Sequence, residues 1–197
     1  MSKKYELVVD DTITFWGWKL FRIRALISFG SVDAGDLGGY IYTEDNLSQK
    51  GDAWVSGDAK VWGNAKVSGD AKVSGNAEVS GDAKVWGDAE VWGNAKVWGN
   101  AKVWGNAEVS GDAEVWGNAE VSGDAKVSDF EDVIVFKNHW SSGRHFTYTK
   151  SNKMWRVGCF YGTGQELIDK AYRDSEKSGN FYKAYVEFIA SLEGLGE

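Results

Sequence analysis

Nucleophilic and metal-binding side chains are scarce: the 197 residues include two histidines, His139 and His145, and one cysteine, Cys159. A catalytic zinc site of three histidines cannot be assembled within one such chain, and neither can an internal disulfide. No metal or other cofactor is expected. Cys159 and His145 could act as nucleophile and base, because geometry rather than chain order defines such pairs. Yet Val157-Gly158-Cys159-Phe160 is apolar and reads as part of a strand, where a free cysteine is a small buried hydrophobe. His139, beside Trp140, is no better placed as a ligand. Gly162-Thr163-Gly164 at a helix start offers N–H groups to a phosphate, but a capping box of Thr163 and Glu166 explains the same residues with nothing bound.

Recognition chemistry is better represented. Of 11 tryptophans, six stand at 62, 86, 92, 98, 104 and 116, all separated by multiples of six. Lysines stand at 66, 84 and 102. Both sets belong to a longer pattern. From Gly51 to Ser128 the chain is thirteen hexads of the form Gly-Asx-Ala-x-Val-(Ser/Trp), none out of step. A period of six fits neither a 3.6-residue helix nor a heptad, whereas Ala-x-Val alternates as a short strand and Gly-Asx supplies a corner. Ala and Val then face inward, and the residues before and after Val face water.

Val55-Ser56-Gly57-Asp58-Ala59-Lys60 and its relatives resemble the hexapeptide repeat of left-handed parallel β-helices. The resemblance covers 78 of the 197 residues. It implies triangular coils of three hexads, about four coils in all, rising roughly 4.8 Å per coil. Left-handedness comes from the resemblance alone, since parallel crossovers are otherwise right-handed. Residues 18 apart should stack, which places Trp98 under Trp116, Trp86 under Trp104, and Trp86, Trp92, Trp98 and Trp104 in a belt around the prism. Lys60, Glu78, Lys96 and Glu114 form an alternating ladder on one face. On another, Lys66, Lys84 and Lys102 precede Glu120, an unfavourable stack of like charges unless they splay or an anion bridges them. Lys84, Trp86, Lys102 and Trp104 thus make a basic and aromatic square suited to a nucleotide or another planar anion.

An open solenoid needs covered ends. Residues 1–50 read as an N-terminal β cap, with strands over 5–29, turns at Asp10-Asp11 and near Gly17, and Gly35 to Ile41 leading into the first coil. Residues 129–197 read as an α+β cap: strands at Asp132 to Phe136, Arg144 to Thr149 and Met154 to Phe160, then a helix from Thr163 to about Ser178 stopped by Gly179, and a second from Phe181 to Leu192. The flanks also resemble hexapeptide-repeat proteins encoded by bacteriophages and prophages, through Arg22-Ile23-Arg24-Ala25-Leu26, Gly35-Asp36-Leu37-Gly38-Gly39-Tyr40-Ile41, Glu44-Asp45-Asn46-Leu47-Ser48 and Gly158-Cys159-Phe160-Tyr161-Gly162-Thr163-Gly164-Gln165-Glu166.

A mainly β protein is therefore expected. Its 43% apolar residues suffice for a core, its net charge of -7 opposes generic nucleic-acid binding, and no apolar run is long enough to cross a bilayer. Met1 to Asp10 lacks the layout of a signal peptide, which favours a cytoplasmic setting, a host's if the origin is viral. The expected function is non-enzymatic binding or assembly through Trp-rich faces, by a homo-oligomer whose partner is a host protein or a small anionic nucleotide. Countering a host defence would suit the phage-like flanks. Trp92, Trp98 and Trp116 join the square as candidate binding residues. The alternative is a hexapeptide-repeat acyltransferase, against which stands the absence of histidine and of any loop insertion in the coils.

Overall fold

Each hexad becomes one short strand and one corner in the computed structural model, which describes residues 3–195. All thirteen Ala and all thirteen Val of the repeat are at most 1% exposed. The glycine opening each hexad has φ between +60° and +73°. From Gly51 to Gly105 a Cβ there would also crowd the backbone of the glycine one coil on, at 3.0 Å for Gly81 against the Gly99 nitrogen. Left-handed backbone and close stacking together demand glycine at that corner.

Before the repeat come β1 (Tyr5–Phe15), β2 (Trp18–Ala25) and β3 (Leu37–Ile41). Thirteen short strands follow, numbered β4 to β16 and stacked in parallel register on three faces. The first face holds β5 (Lys60–Val61), β8 (Glu78–Val79), β11 (Lys96–Val97) and β14 (Glu114–Val115), continued below by β3, β2 and β1. The second is five strands deep: β4 (Trp54–Val55), β7 (Lys72–Val73), β10 (Glu90–Val91), β13 (Glu108–Val109) and β16 (Lys126–Val127). The third holds β6 (Lys66–Val67), β9 (Lys84–Gly87), β12 (Lys102–Gly105) and β15 (Glu120–Val121). The chain is thus a parallel β-solenoid, mainly β, with two helices at its C-terminal side.

The caps answer a hydrogen-bonding need. Between coils, N–H groups such as those of Lys60 and Trp62 donate to Ala77 and Val79 one coil on, so carbonyls are left over at the first coil and N–H groups at the last. At the first coil, Lys4 Nζ donates to Ala53 O (2.8 Å) and Gly51 O (3.1 Å), and Asn46 Nδ2 to Ala65 O (2.8 Å) and Gly63 O (3.0 Å). At the last coil, Glu120 N donates to Thr147 Oγ1 (2.9 Å), Lys126 N to Ser151 Oγ (2.8 Å) and Ser128 N to Asp132 Oδ2 (2.8 Å).

The C-terminal unit is an antiparallel sheet, β17 (Val133–Lys137), β18 (His145–Thr149), β19 (Met154–Val157) and β20 (Phe160–Thr163), packed against α1 (Gly164–Asp174) and α2 (Glu176–Glu193). It has its own core around Phe146, Trp155, Leu167 and Ile189, whereas Tyr5, Ile23 and Ala25 of the N-terminal cap join the core of the solenoid. Three details differ from expectation. Asp10 and Asp11 lie in a bulge inside one long strand rather than in a turn. Cys159 lies in the turn between β19 and β20 rather than within one strand. The helices break at Ser175, whose side chain caps α2 through Ser178 N, and not at Gly179, which is buried inside α2 where a Cβ would strike the Tyr172 ring. Among the described residues no helix is long and apolar enough to cross a membrane.

Candidate functional site

The residue after each Val ends a strand just before the glycine corner, so coil stacking sets these side chains in columns. In the column on the third face, Trp86 and Trp104 are in register, their rings stacked at 4.8 Å and 5°. Their strands, β9 and β12, extend through Gly87 and Gly105, while the other coil strands have two residues. Trp98 and Trp116 stack in a second column at 6.1 Å and 10°. The flanks cover part of the belt: Phe15 of the N-terminal cap stands edge-on to Trp62 at 5.2 Å, and the Arg156 guanidinium of the C-terminal unit lies over Trp104 at 4.9 Å. Trp92 (44%) and Trp116 (60%) remain exposed.

Beside the Trp86–Trp104 column run the lysines of the third face, with Lys66, Lys84 and Lys102 in register as anticipated and Glu120 above them. Lys102 Nζ is held by Glu120 Oε1 at 2.8 Å. Lys66 and Lys84 have no acidic partner within ion-pair distance among the described residues. The Glu120–Thr147 hydrogen bond docks the C-terminal sheet above this face and brings further cations over it. The result is a groove of about 570 Å³ lined by Trp86, Lys102, Trp104, Arg144, His145 and Arg156, with Asn118, Glu120, Gly158 and Cys159 completing it. Among the described residues the buried Nε of Arg156 makes no hydrogen bond and has Glu120 Oε2 at 3.7 Å.

No family model matches the chain, and no curated protein matches it.

The groove holds three of the four residues of the expected square, Trp86, Lys102 and Trp104, while Lys84, in register with Lys102, does not line it. Lys102 is neutralised by Glu120, and one side of Trp104 is taken by Arg156. Arg144 and Arg156 are the cations that sequence reasoning missed. Alternation along β19 gives Arg156 the side opposite the buried Trp155, but which coil it meets depends on where the sheet docks. Trp92, Trp98 and Trp116 lie in other columns and do not line this groove.

The chemistry-bearing residues of the C-terminal unit fall out differently from the reading of their strands. Cys159 is exposed in its hairpin turn and not a buried hydrophobe, because the turn carries it out of the sheet. It lines the groove together with His145. His139 packs edge-on to Trp140 (5.3 Å) and Phe181 (5.2 Å). At the start of α1, Glu166 Oε2 accepts from Thr163 N (2.8 Å) and Oγ1 (2.9 Å), which holds its carboxyl below the usual range. That carboxylate is the anion at this helix start, and Gly164 is needed because a Cβ would strike Val186.

The second face carries a groove of the opposite character, about 630 Å³, lined by Asp52, Asp70, Asp88, Glu90, Lys72 and Trp92 and walled by Gly30 to Val32 and Trp54. Behind it, burial lowers the Lys4 ammonium to about 8, with Asp52 and Asp70 opposing the shift.

Proposed function

We propose that the protein is a non-enzymatic binding protein that holds a planar anion, a nucleotide being the fitting class, in the groove between the third face and the C-terminal unit. One observation carries the reading: a stacked pair of indoles shares a groove with cations from two separately folded parts of the chain. Stacking on indole is worth about 1–3 kcal/mol per base, and arginine and lysine supply charge and hydrogen bonds to phosphate. The resemblance to left-handed hexapeptide-repeat proteins of phages gives such binding a role, sequestering a nucleotide signal or occupying a host protein so that a host defence is blunted. The acyltransferase alternative would need a histidine base, and only His145 lies in the groove.

Isothermal titration with a panel of mononucleotides and cyclic dinucleotides, with product analysis alongside, tests the reading. Saturable binding without turnover is expected; a panel that fails to bind, or a ligand that is consumed, removes it. Assembly is favoured by a separate apolar patch at the last coil, where Trp116, Phe130 (69% exposed) and Val135 lie together around a hollow of about 390 Å³. Light scattering should then give a multiple of the 21.7 kDa chain mass.

A further inference from the structure

The Trp86–Trp104 column has one finished end and one unfinished end. Above Trp104 the Arg156 guanidinium occupies the place where a further ring would stack. Below Trp86 the same position one coil down is Ser68, whose N–H donates to Val85 O at 3.0 Å, so it lies in register under the indole. Among the described residues, no ring or cation stacks beneath Trp86. A serine where an indole would fit leaves a rung of the column empty, with Ser68 as its floor.

The charge around that rung is uncompensated in the same place. Lys66 and Lys84 are cross-strand partners, each two residues before a member of the column, and so emerge on the same outer surface. Their neighbour Lys102 is neutralised by Glu120; they are not. Stacked like charges at coil spacing are unfavourable, and an anion between them relieves the repulsion. One coil below Ser68 stands Ser48, set there by the parallel bridge of Leu47 to Val67. Acids stand at both corners of this face, Asp82 two residues before Lys84 and Asp70 and Asp88 two residues beyond Ser68 and Trp86, but among the described residues none is within ion-pair distance of Lys66 or Lys84.

We infer that the ring of an anionic ligand stacks on the lower side of Trp86, in the rung above Ser68, with its phosphate bridging Lys66 and Lys84. Trp104 then backs the stack without touching the ligand. This placement rests on the nucleotide-binding reading but sets the ligand at the lower end of the column, beside the groove, whose lining includes Trp86 and not Ser68, Lys66 or Lys84.

ATP is the probe, and Ser68→Trp the deciding variant, since it completes the column with the residue the repeat already tolerates at that position. It should weaken ATP binding by about tenfold or more, the loss of one stacked base. Ser80→Trp, which fills an empty rung in the neighbouring column between Trp62 and Trp98, should leave the Kd within about twofold. A Lys66→Ala/Lys84→Ala double variant decides the matter even if Ser68→Trp fails to fold: ATP affinity should fall and become less dependent on salt. Inorganic triphosphate, which has no ring, should bind wild type and Ser68→Trp alike. Unchanged ATP affinity in Ser68→Trp, or an equal loss in Ser80→Trp, overturns the placement. If Arg144→Ala weakens ATP binding while Ser68→Trp and the double lysine variant do not, the groove reading stands and the placement falls. If wild type binds neither ATP nor any member of the nucleotide panel, both fall.

Discussion

The second and third faces are built from the same hexad on the same backbone, yet one ends in an acidic groove and the other in a basic one. Each has tryptophan at its rim, Trp92 on the second face and Trp86 with Trp104 on the third. They differ in what the variable positions carry. On the third face, lysines repeat at 66, 84 and 102, and Arg144 and Arg156 are added from above. On the second, Asp52, Asp70 and Asp88 line one corner, and Glu90 and Glu108 are each paired with a lysine, at 3.3 Å from Lys72 and 3.0 Å from Lys126. Since Ala, Val and Gly hold the solenoid together and the outward residues bear little on it, each face is free to take its own charge. The same indole thus stands among opposite charges on the two faces.

Charge reversal on the third face should break this contrast most completely. Lys84→Glu with Lys102→Glu should abolish nucleotide binding in a titration, because like charges facing an anion cost several kcal/mol. Trp92→Ala should leave that binding intact. Melting curves of both should stay near wild type, since none of these side chains enters the Ala and Val core.

Lys4, which sits behind the acidic groove, provides a stability test of the second face. Lys4→Met leaves the Gly51 and Ala53 carbonyls without their donor and should cost about 1–3 kcal/mol per unsatisfied group in chemical denaturation. The effect should also depend on pH. Between about pH 8 and the free value of 10.5, the unfolded chain keeps a proton on Lys4 that the folded chain has released. Lys4 therefore adds stability as the pH rises through that window, and the gap between wild type and Lys4→Met should widen. A gap that narrows would show that burial is not what lowers this ammonium.

How far such contrasts can be read in advance depends on how local their causes are. Thirteen unbroken hexads define the coil, and residues 18 apart follow by counting, which is why the Trp86–Trp104 and Trp98–Trp116 stacks and the Lys66, Lys84, Lys102 file were legible. The caps were legible as strands and helices but not in their docking. Nothing near Arg156 announces that it will lie over Trp104, because that contact is set by Thr147 meeting the Glu120 amide 27 residues away. Gly179 misled for a related reason: its small size serves packing against Tyr172 and not a helix end. Cys159 was misplaced because Gly158, at φ +58°, turns the chain within an apolar run.

A smaller effect would sharpen the picture of the upper end of the column. Arg156→Ala removes the guanidinium from Trp104, a contact worth about 0.5–2 kcal/mol for a half-buried pair. Tryptophan emission should shift slightly to the red while the fold persists. If it does not, Arg156 is not covering that ring.

The contrast between faces is tested most directly by titrating ATP into protein carrying nitrogen-15 in its tryptophan indoles and following each indole N–H by NMR. Trp86 should shift saturably and most strongly, Trp104 less, and Trp92 on the acidic face not at all. Equal movement of Trp92 and Trp86, or no saturable shift at Trp86, would contradict the assignment of anion binding to the third face.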